Sequence, residues 1–239
     1  MPIKTVTIKT PKGSSAYEIR IGAGTLSGVA GVVKETIGPE VKRIAIISNP
    51  NVFGLYGHCV VESLERAGLS VSVWKMKDGE RYKNVRSLES ALNFLSESRL
   101  TRSDAVLALG GGVVGDLAGL AASIYLRGIP FFQVPTTLLS MIDSSVGGKT
   151  GVNTKFGKNL VGSFYQPRAV LVDIETLSTL NDRELTAGFC EAVKQGALSG
   201  RKLFAKTSRF LANYRDGDLR SGFRAKIWAP SLPSLFRIK

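Results

Sequence analysis

An apolar run followed directly by glycines constrains the fold of this chain most strongly. Residues 105–109 (AVLAL) are all apolar, as expected for a strand covered on both faces of a sheet. Residues 110–115 (GGGVVG) then form a G-x-G-x-x-G pattern between a predicted strand and a predicted helix. Glycines let the backbone approach an anion, and a helix N-terminus supplies free N–H groups. The pattern indicates a pyrophosphate site, although a tight strand-to-helix turn would also explain the glycines.

Two neighbouring motifs depart from well-known nucleotide fingerprints. The usual dinucleotide pattern has an acid about 20 residues further on, but Pro135-Thr136-Thr137 stands there, so this is not a standard Rossmann unit. Gly148-Lys149-Thr150 resembles the end of a P-loop, yet Asp143 occupies the position that requires glycine. We therefore exclude a P-loop. Asp143 and Lys149 form either an ion pair that holds a loop or an acid and a cation that meet at a substrate.

The hydrophobic pattern alternates between strands and helices along the chain. Such alternation predicts an α/β fold with a parallel sheet, helices on both faces, and ligands at the carboxyl ends of the strands. We predict strands at 3–8, 17–21, 43–48, 70–76, 105–109, 131–134 and 169–172, and helices at 55–67, 87–98, from the glycine loop through 125, and at 182–197.

Composition favours a globular cytoplasmic enzyme. The chain has 239 residues, of which 44% are hydrophobic and 21% charged, and it contains neither a signal-peptide pattern nor an apolar run long enough for a membrane span. Its two cysteines provide no disulfide framework, which suits a reducing compartment. Eight of the thirteen net positive charges fall within residues 200–239, with no nucleic-acid motif. We therefore expect neither a nucleic-acid nor a membrane partner.

Glu191 and Lys194 share one face of the last predicted helix because they are three residues apart. A solvated salt bridge is the commoner explanation for such a pair, but the small and apolar neighbours at 187–189 and 192–193 indicate a face turned inward. A buried glutamate needs a metal or a cation as its partner. His58 is the single histidine, and metal ligands come in clusters, so a structural or surface role is favoured for it.

At these residues the chain resembles the 3-dehydroquinate synthase family over about positions 40–200. The motifs that carry the resemblance are dense and follow one another in order. They are DGERYK at 78–83, GGGVVGD at 110–116, YLRG at 125–128, VPTTLLSMIDSSVGGKTGVN at 134–153, GKN at 157–159, FYQP at 164–167, and the helix with Glu191 and Lys194.

The resemblance implies a Rossmann-like NAD-binding domain over residues 1–174, followed by the start of an α-helical metal and substrate domain over 175–239. It also implies that Asn49 stands where the family usually has an aspartate beside the adenosine ribose. The implied NAD-binding residues are Asn51, Asp78, Glu80, Lys83, Gly112, Val113, Val114, Gly115, Asp116, Thr136, Thr137, Lys149, Lys158, Thr176, Leu177, Ser178 and Thr179.

The family's reaction converts the sugar phosphate 3-deoxy-D-arabino-heptulosonate 7-phosphate to 3-dehydroquinate and phosphate in the shikimate pathway. It uses NAD together with zinc or cobalt, and the resemblance assigns the metal to Glu191. Lys149 and Lys194 would stabilise oxyanions and a carboxylate, and Asp143 would position hydroxyls. Asn159 and Arg127 would hold the phosphate, with Arg127 reaching the partner's site in a homodimer.

The chain departs from the family pattern after Leu198. The family's two metal-binding histidines are not found there, because no histidine follows position 58. The change in charge over the same stretch suggests a truncated or frameshifted end, so we expect an incomplete metal site and impaired activity. Another sugar-phosphate cyclase, or a non-catalytic NAD-binding remnant, remains the alternative.

Overall fold

The chain folds around a mixed sheet whose strand order reverses beside the glycine loop. The computed structural model describes residues 3–9, 16–201, 204–205 and 207–208. Within this part of the chain the seven sheet strands run in the order β1-β2-β9-β6-β5-β3-β4, and β7 and β8 form a separate hairpin. The strands are β1 (Lys4–Lys9), β2 (Ala16–Gly22), β3 (Arg43–Ser48), β4 (Ser70–Lys75), β5 (Ala105–Gly110), β6 (Phe131–Pro135), β7 (Lys149–Thr154), β8 (Gly157–Phe164) and β9 (Ala169–Asp173).

All strand pairs of the large sheet are parallel except β1–β2, which is antiparallel with Ile8 opposite Tyr17. After β4 the chain returns to the other side of β3 to form β5. The carboxyl ends of β3 and β5 therefore flank a topological switch point, which is where α/β sheets bind ligands. The Ser48 hydroxyl joins the two strand ends by donating to the Leu109 carbonyl at 2.7 Å.

Helices cover both faces of the sheet, as the sequence predicts. They are α1 (Val29–Ile37), α2 (His58–Arg66), α3 (Val85–Glu97), α4 (Gly112–Ile124) and α5 (Asp182–Ser199). Single-turn helices lie at Thr25–Gly28, Pro50–Val52, Glu80–Tyr82, Tyr125–Arg127 and Ile174–Thr179, and π-helical segments at Phe53–Gly57 and Ser140–Ser144.

The alternation of side chains along each strand divides the core into two layers. Ile44 and Ile46 of β3 pack with α1 and α2 on one face, whereas Ala45 and Ile47 pack with α3 and α4 on the other. A third cluster joins β2 and β9 to α5 through buried residues such as Phe189. This packing fixes α4 with its N-terminus at the switch point.

Most predicted elements are confirmed to within a few residues, but the helix predicted from residue 55 begins earlier. Helical backbone starts at Pro50, because the Asn49 side chain accepts a hydrogen bond from the Val52 N–H and proline fits the first helical position. Helix α1 and the β7–β8 hairpin were not predicted. None of the helices among the described residues combines the length and apolar character needed to cross a lipid bilayer.

Candidate active site

Three side chains after β3 and β4 form one edge of the switch point. Asn49 caps the following helical turn through its oxygen, and its amide nitrogen donates to Asp78 at 3.0 Å. Asn51 donates to the other Asp78 oxygen at 3.3 Å. An aspartate at position 49 could not donate to Asp78 and would repel it. The amide at this position therefore holds the Asp78 carboxylate in place.

The glycine loop leads into α4, whose first backbone N–H groups are available to a ligand. No side chain caps the helix, and the first N–H groups of a helix have no intrahelical partner. A Cβ on Gly112 would lie 2.8 Å from the Ser144 Oγ, and one on Gly115 would lie 2.9 Å from the Gln133 Oε1. These glycines have no positive φ, so close packing rather than backbone conformation requires them.

A buried ion pair connects α4 to the segment before α3. The Lys83 ammonium, only 5% exposed, lies 2.7 Å from the Asp116 carboxylate and 3.5 Å from that of Glu80. Burial raises the pKa of Asp116, and the hydrogen bond from Lys83 opposes that effect without cancelling it. Asn153 of β7 donates to Glu80 at 2.7 Å, so the same network holds the hairpin.

A cavity of about 300 Å³ lies between α4 and the hairpin. Asp116, Lys149 and Asn159 contribute its charged and amide groups. Lys149 follows a turn in which Gly147 and Gly148 adopt φ of 93° and 69°. Asn159 also has positive φ, at 56°, in the left-handed region that asparagine adopts more readily than most residues. The cavity is lined by Asp116, Lys149, Thr150, Gly151, Asn159, Leu160, Gly162, Ser163 and Phe164.

Asp143 lies within electrostatic reach of both ends of the site. It occupies the π-helical segment Ser140–Ser144, and its carboxylate contributes to raising the pKa of Asp116 and that of Lys194. The larger causes are burial for Asp116 and the hydrogen bond to Glu191 for Lys194. The structure therefore groups Asp143 with two other predicted site residues, Asp116 of α4 and Lys194 of α5.

The predicted metal ligand Glu191 is engaged by protein groups. Its carboxylate accepts hydrogen bonds from Lys194 at 2.9 and 3.1 Å and from Gln195 at 2.9 Å. The Glu191 side chain is 13% exposed but that of Lys194 is 61% exposed, so the predicted inward orientation holds for the glutamate alone. No group of three potential ligands occurs among the described residues. These residues by themselves do not form a metal site.

The remaining predicted residues lie outside the cavity. Arg127 is exposed in the turn after α4, at the end of that helix opposite the glycine loop, and the exposed Lys158 does not line the cavity. In the turn Ile174–Thr179 the Thr176 hydroxyl donates to the Asp173 carbonyl at the end of β9, the Ser178 hydroxyl donates to the Glu175 carbonyl, and Leu177 is buried. The Tyr56 hydroxyl bonds to Thr179 and to the Thr176 carbonyl, a contact that no sequence signal indicated.

Two buried hydroxyls are consistent with a phosphate group at the glycine loop. Among the described residues, the Thr136 Oγ1 and the Ser144 Oγ are two of four buried side-chain polar atoms without a hydrogen-bond partner, the others being the Thr25 Oγ1 and the Gln166 Oε1. Thr136 follows β6, and its N–H donates to the Gly110 carbonyl at 3.1 Å. A phosphate bound at the start of α4 would supply acceptors at this place. The residues present therefore fit a dinucleotide.

Comparison of the sequence with known proteins gives matches to 3-dehydroquinate synthases. Residues 73–187 match the family model described as 3-dehydroquinate synthase N-terminal. The chain is 47% identical over 215 residues to 3-dehydroquinate synthase of Geobacter metallireducens, covering 88% of this chain and 59% of that protein. The chain thus spans little more than half the length of such relatives.

Solved structures give a concordant result. A 2-deoxy-scyllo-inosose synthase complexed with carbaglucose-6-phosphate, NAD⁺ and Co²⁺ aligns with a TM-score of 0.74 at 31% identity, covering 81% of this chain and 51% of that one. A 2-epi-5-epi-valiolone synthase from Streptomyces hygroscopicus subsp. jinggangensis 5008, with NAD⁺ and Zn²⁺ bound, aligns with a TM-score of 0.78 at 26% identity, covering 94% and 59%. The Rossmann-like character of the parallel-sheet domain agrees with these neighbours.

Proposed function

The chain belongs to the 3-dehydroquinate synthase family, and from that premise we propose that it forms the cofactor-binding part of an enzyme that converts 3-deoxy-D-arabino-heptulosonate 7-phosphate to 3-dehydroquinate and phosphate. One observation carries the proposal. Asp116 of the glycine-loop helix lines the same cavity as Lys149 and Asn159 of the hairpin. A dinucleotide at the helix and a phosphorylated substrate at the hairpin would meet in this space.

NAD fits the switch point, where the start of α4 would hold its pyrophosphate and Asp78 would accept hydrogen bonds from ribose hydroxyls. When bound, NAD supplies a reversible hydride acceptor for a secondary alcohol. The Lys83–Asp116 pair would fix the side of the cavity nearest the glycine loop.

Residues of the hairpin and of neighbouring elements would bind the substrate. The Lys149 ammonium would stabilise an oxyanion or bind an anionic group, and the Asn159 amide would donate to the substrate phosphate. Asp143 would accept hydrogen bonds from substrate hydroxyls. Lys194, whose pKa is raised by its hydrogen bond to Glu191, would remain cationic at neutral pH beside the substrate carboxylate.

A divalent metal would have Glu191 as its candidate ligand in this chain. The two solved structures contain Co²⁺ and Zn²⁺ respectively. A catalytic zinc site needs three protein ligands with an open position. The described residues offer no such group, so we assign no step to a metal.

Two alternative functions are each suggested by one observation. Another carbocycle-forming sugar-phosphate cyclase is suggested by the two solved structures, although their identities of 31% and 26% are lower than the 47% to a 3-dehydroquinate synthase. A non-catalytic NAD-binding protein is suggested by the engagement of Glu191 with Lys194 and Gln195. Phosphate release from each sugar phosphate would distinguish the three. Cytoplasmic location and a homodimer remain predictions.

The first test is a fluorescence titration with NADH. We expect saturable binding at up to millimolar cofactor, weakened in Lys83→Met because Asp116 would lose the ammonium that lies 2.7 Å away. Lys34→Met is the matched control, since Lys34 lies on α1 and donates to the Ala67 carbonyl. A sample shown to be folded by circular dichroism that binds no NADH would contradict the proposal.

A further inference from the structure

The Ser144 hydroxyl is buried beside the glycine loop. Its Oγ has no hydrogen-bond partner among the described residues and lies 2.8 Å from the position that a Cβ on Gly112 would occupy. Gly112 is the first residue of α4. The hydroxyl is therefore packed against the turn whose N–H groups are available to a ligand.

The hydroxyl of the next residue, Ser145, forms a hydrogen bond within the same helical turn. The Ser145 Oγ donates to the Met141 carbonyl at 3.3 Å, four residues back in the helical turn. Ser144 makes no such bond, although it ends the same π-helical segment Ser140–Ser144. Buried hydroxyls in proteins are normally hydrogen-bonded, and π-helical segments occur frequently at functional sites.

A second buried hydroxyl without a partner belongs to a residue that contacts the glycine loop through its backbone. Thr136 is 2% exposed, its Oγ1 also lacks a partner among the described residues, and its backbone bonds to Gly110 at the start of the same loop. The family resemblance assigns Thr136 to the cofactor but leaves Ser144 without a role. Ser144 and Thr136 therefore both belong to segments that contact the glycine loop, and an acceptor bound at the start of α4 would satisfy a buried hydroxyl there.

We propose that Ser144 is a cofactor-binding residue whose hydroxyl donates a hydrogen bond to the pyrophosphate of a dinucleotide held at the start of α4. The inference rests on the proposed function, since it requires that the chain bind NAD. It also explains why position 112 must be glycine. A side chain there would displace the Ser144 hydroxyl and cover the N–H groups that share the anion.

The test compares Ser144→Ala with Ser145→Ala by titration with NADH and with ADP-ribose, which has the pyrophosphate but no nicotinamide. We expect Ser144→Ala to bind both ligands about tenfold more weakly, a difference of about 1.4 kcal/mol. Ser145→Ala should bind both as the wild type does, because its hydroxyl bonds within the segment.

Thermal unfolding gives a readout independent of activity. Without cofactor, Ser144→Ala should melt at or above the wild-type temperature, since it removes a hydroxyl with no partner, whereas Ser145→Ala should melt lower. With saturating NADH, Ser144→Ala should instead melt at a lower temperature than the wild type, because a ligand that binds more weakly stabilises less at the same concentration.

Three outcomes would overturn the inference. The first is unchanged affinity of Ser144→Ala for a cofactor that the wild type binds, which would leave the proposed function intact. The second is weakened binding of NADH but not of ADP-ribose, which would remove the pyrophosphate assignment. The third is a wild type that binds neither ligand, which would overturn the proposed cofactor as well.

Discussion

At the scale of single residues, Asp104 is a buried carboxylate that ties two loops to the start of β3. It accepts hydrogen bonds from the N–H groups of Lys42, Arg43 and Thr101 at 3.2, 2.8 and 2.7 Å, and from the Thr101 hydroxyl at 2.9 Å. Burial acts to raise the pKa of Asp104, but these hydrogen bonds outweigh it and hold the pKa below its ordinary value. Its charged form therefore stabilises the fold.

Replacing Asp104 with asparagine should destabilise the protein by about 1–3 kcal/mol at neutral pH, because an amide nitrogen would face several N–H donors. Since the folded-state pKa is lowered, this stabilisation is complete above the unfolded-state pKa and is lost as the pH falls through the folded-state value. Urea unfolding of wild type and Asp104→Asn between neutral and acid pH measures both effects.

The difference in unfolding free energy between the two proteins should therefore shrink toward acid pH. Glu40→Gln, which changes an exposed carboxyl, is the control and should show a much smaller difference throughout. A difference for Asp104→Asn that does not vary with pH would show that the carboxylate charge is not what stabilises the loops.

At the scale of elements, the β7–β8 hairpin positions Lys149 and Asn159 through close contact of two strands. A Cβ on Gly162 would lie 2.1 Å from the Thr150 carbonyl oxygen, and one on Gly151 would lie 3.0 Å from that of Val161. Both obstacles are backbone atoms, which cannot move aside as a flexible side chain can. The two glycines therefore set the register of the hairpin.

Gly162→Ala should separate the hairpin strands, lower the melting temperature and reduce ligand binding at the cavity, because Lys149 and Asn159 would move apart. Gly31→Ala on α1 is the matched control. No atom lies within 4 Å of a Cβ there, and helix propensity should make this variant more stable by about 0.5–1 kcal/mol. Calorimetry of both variants and titration with the heptulosonate phosphate test this. Wild-type behaviour of Gly162→Ala would show that the strands can adjust.

The sequence predicts elements whose signal is local. The buried strand β5 and the start of α4 are apparent from AVLAL followed by glycines, and β3 from its β-branched run. The hairpin was missed because Gly151, Gly157 and Gly162 disrupt the alternation of apolar residues, and their role depends on contacts between strands. Helix α1 was missed because its short VAGVV run lacks a capping side chain.

The sequence predicted residues of the candidate site only where they lie in a recognisable motif. Lys83, Asp116 and Lys149 lie in quoted motifs, and the structure brings them to one region. Tyr56 and the partners of Glu191 depend on how distant elements pack, which no local pattern encodes. The domain boundary after residue 174 stays a prediction, and the residues after 208 lie outside the described part of the chain.

At the scale of the whole molecule, the resemblance predicts a homodimer in which Arg127 reaches the partner's site. Arg127 is exposed with φ of 65° and does not line its own chain's cavity. We expect light scattering at tens of micromolar to give twice the chain mass, and Arg127→Ala to keep that mass while weakening phosphate binding. A monomer mass across that concentration range would contradict the dimer.

A polypeptide of these 239 residues should not produce 3-dehydroquinate at the rate typical of the family. Its sequence contains one histidine, and the described residues hold no group of three metal ligands. A zinc or cobalt ion held by Glu191 alone would lack most of the coordination energy of a three-ligand site. The measurement is phosphate release from the heptulosonate phosphate with excess NAD and metal. Rapid release that is abolished in Glu191→Ala would show that other ligands complete the site.

The outer edge of β8 is where we expect this protein to aggregate on storage. Within the described chain β8 pairs with β7 alone, and it exposes Leu160 and Phe164 to 63% and 80%. The edge strand β1 carries a lysine at each end, which discourages pairing with another chain, whereas β8 carries only Lys158. Losses on storage should therefore grow with the square of concentration, so dilute stocks will outlast concentrated ones.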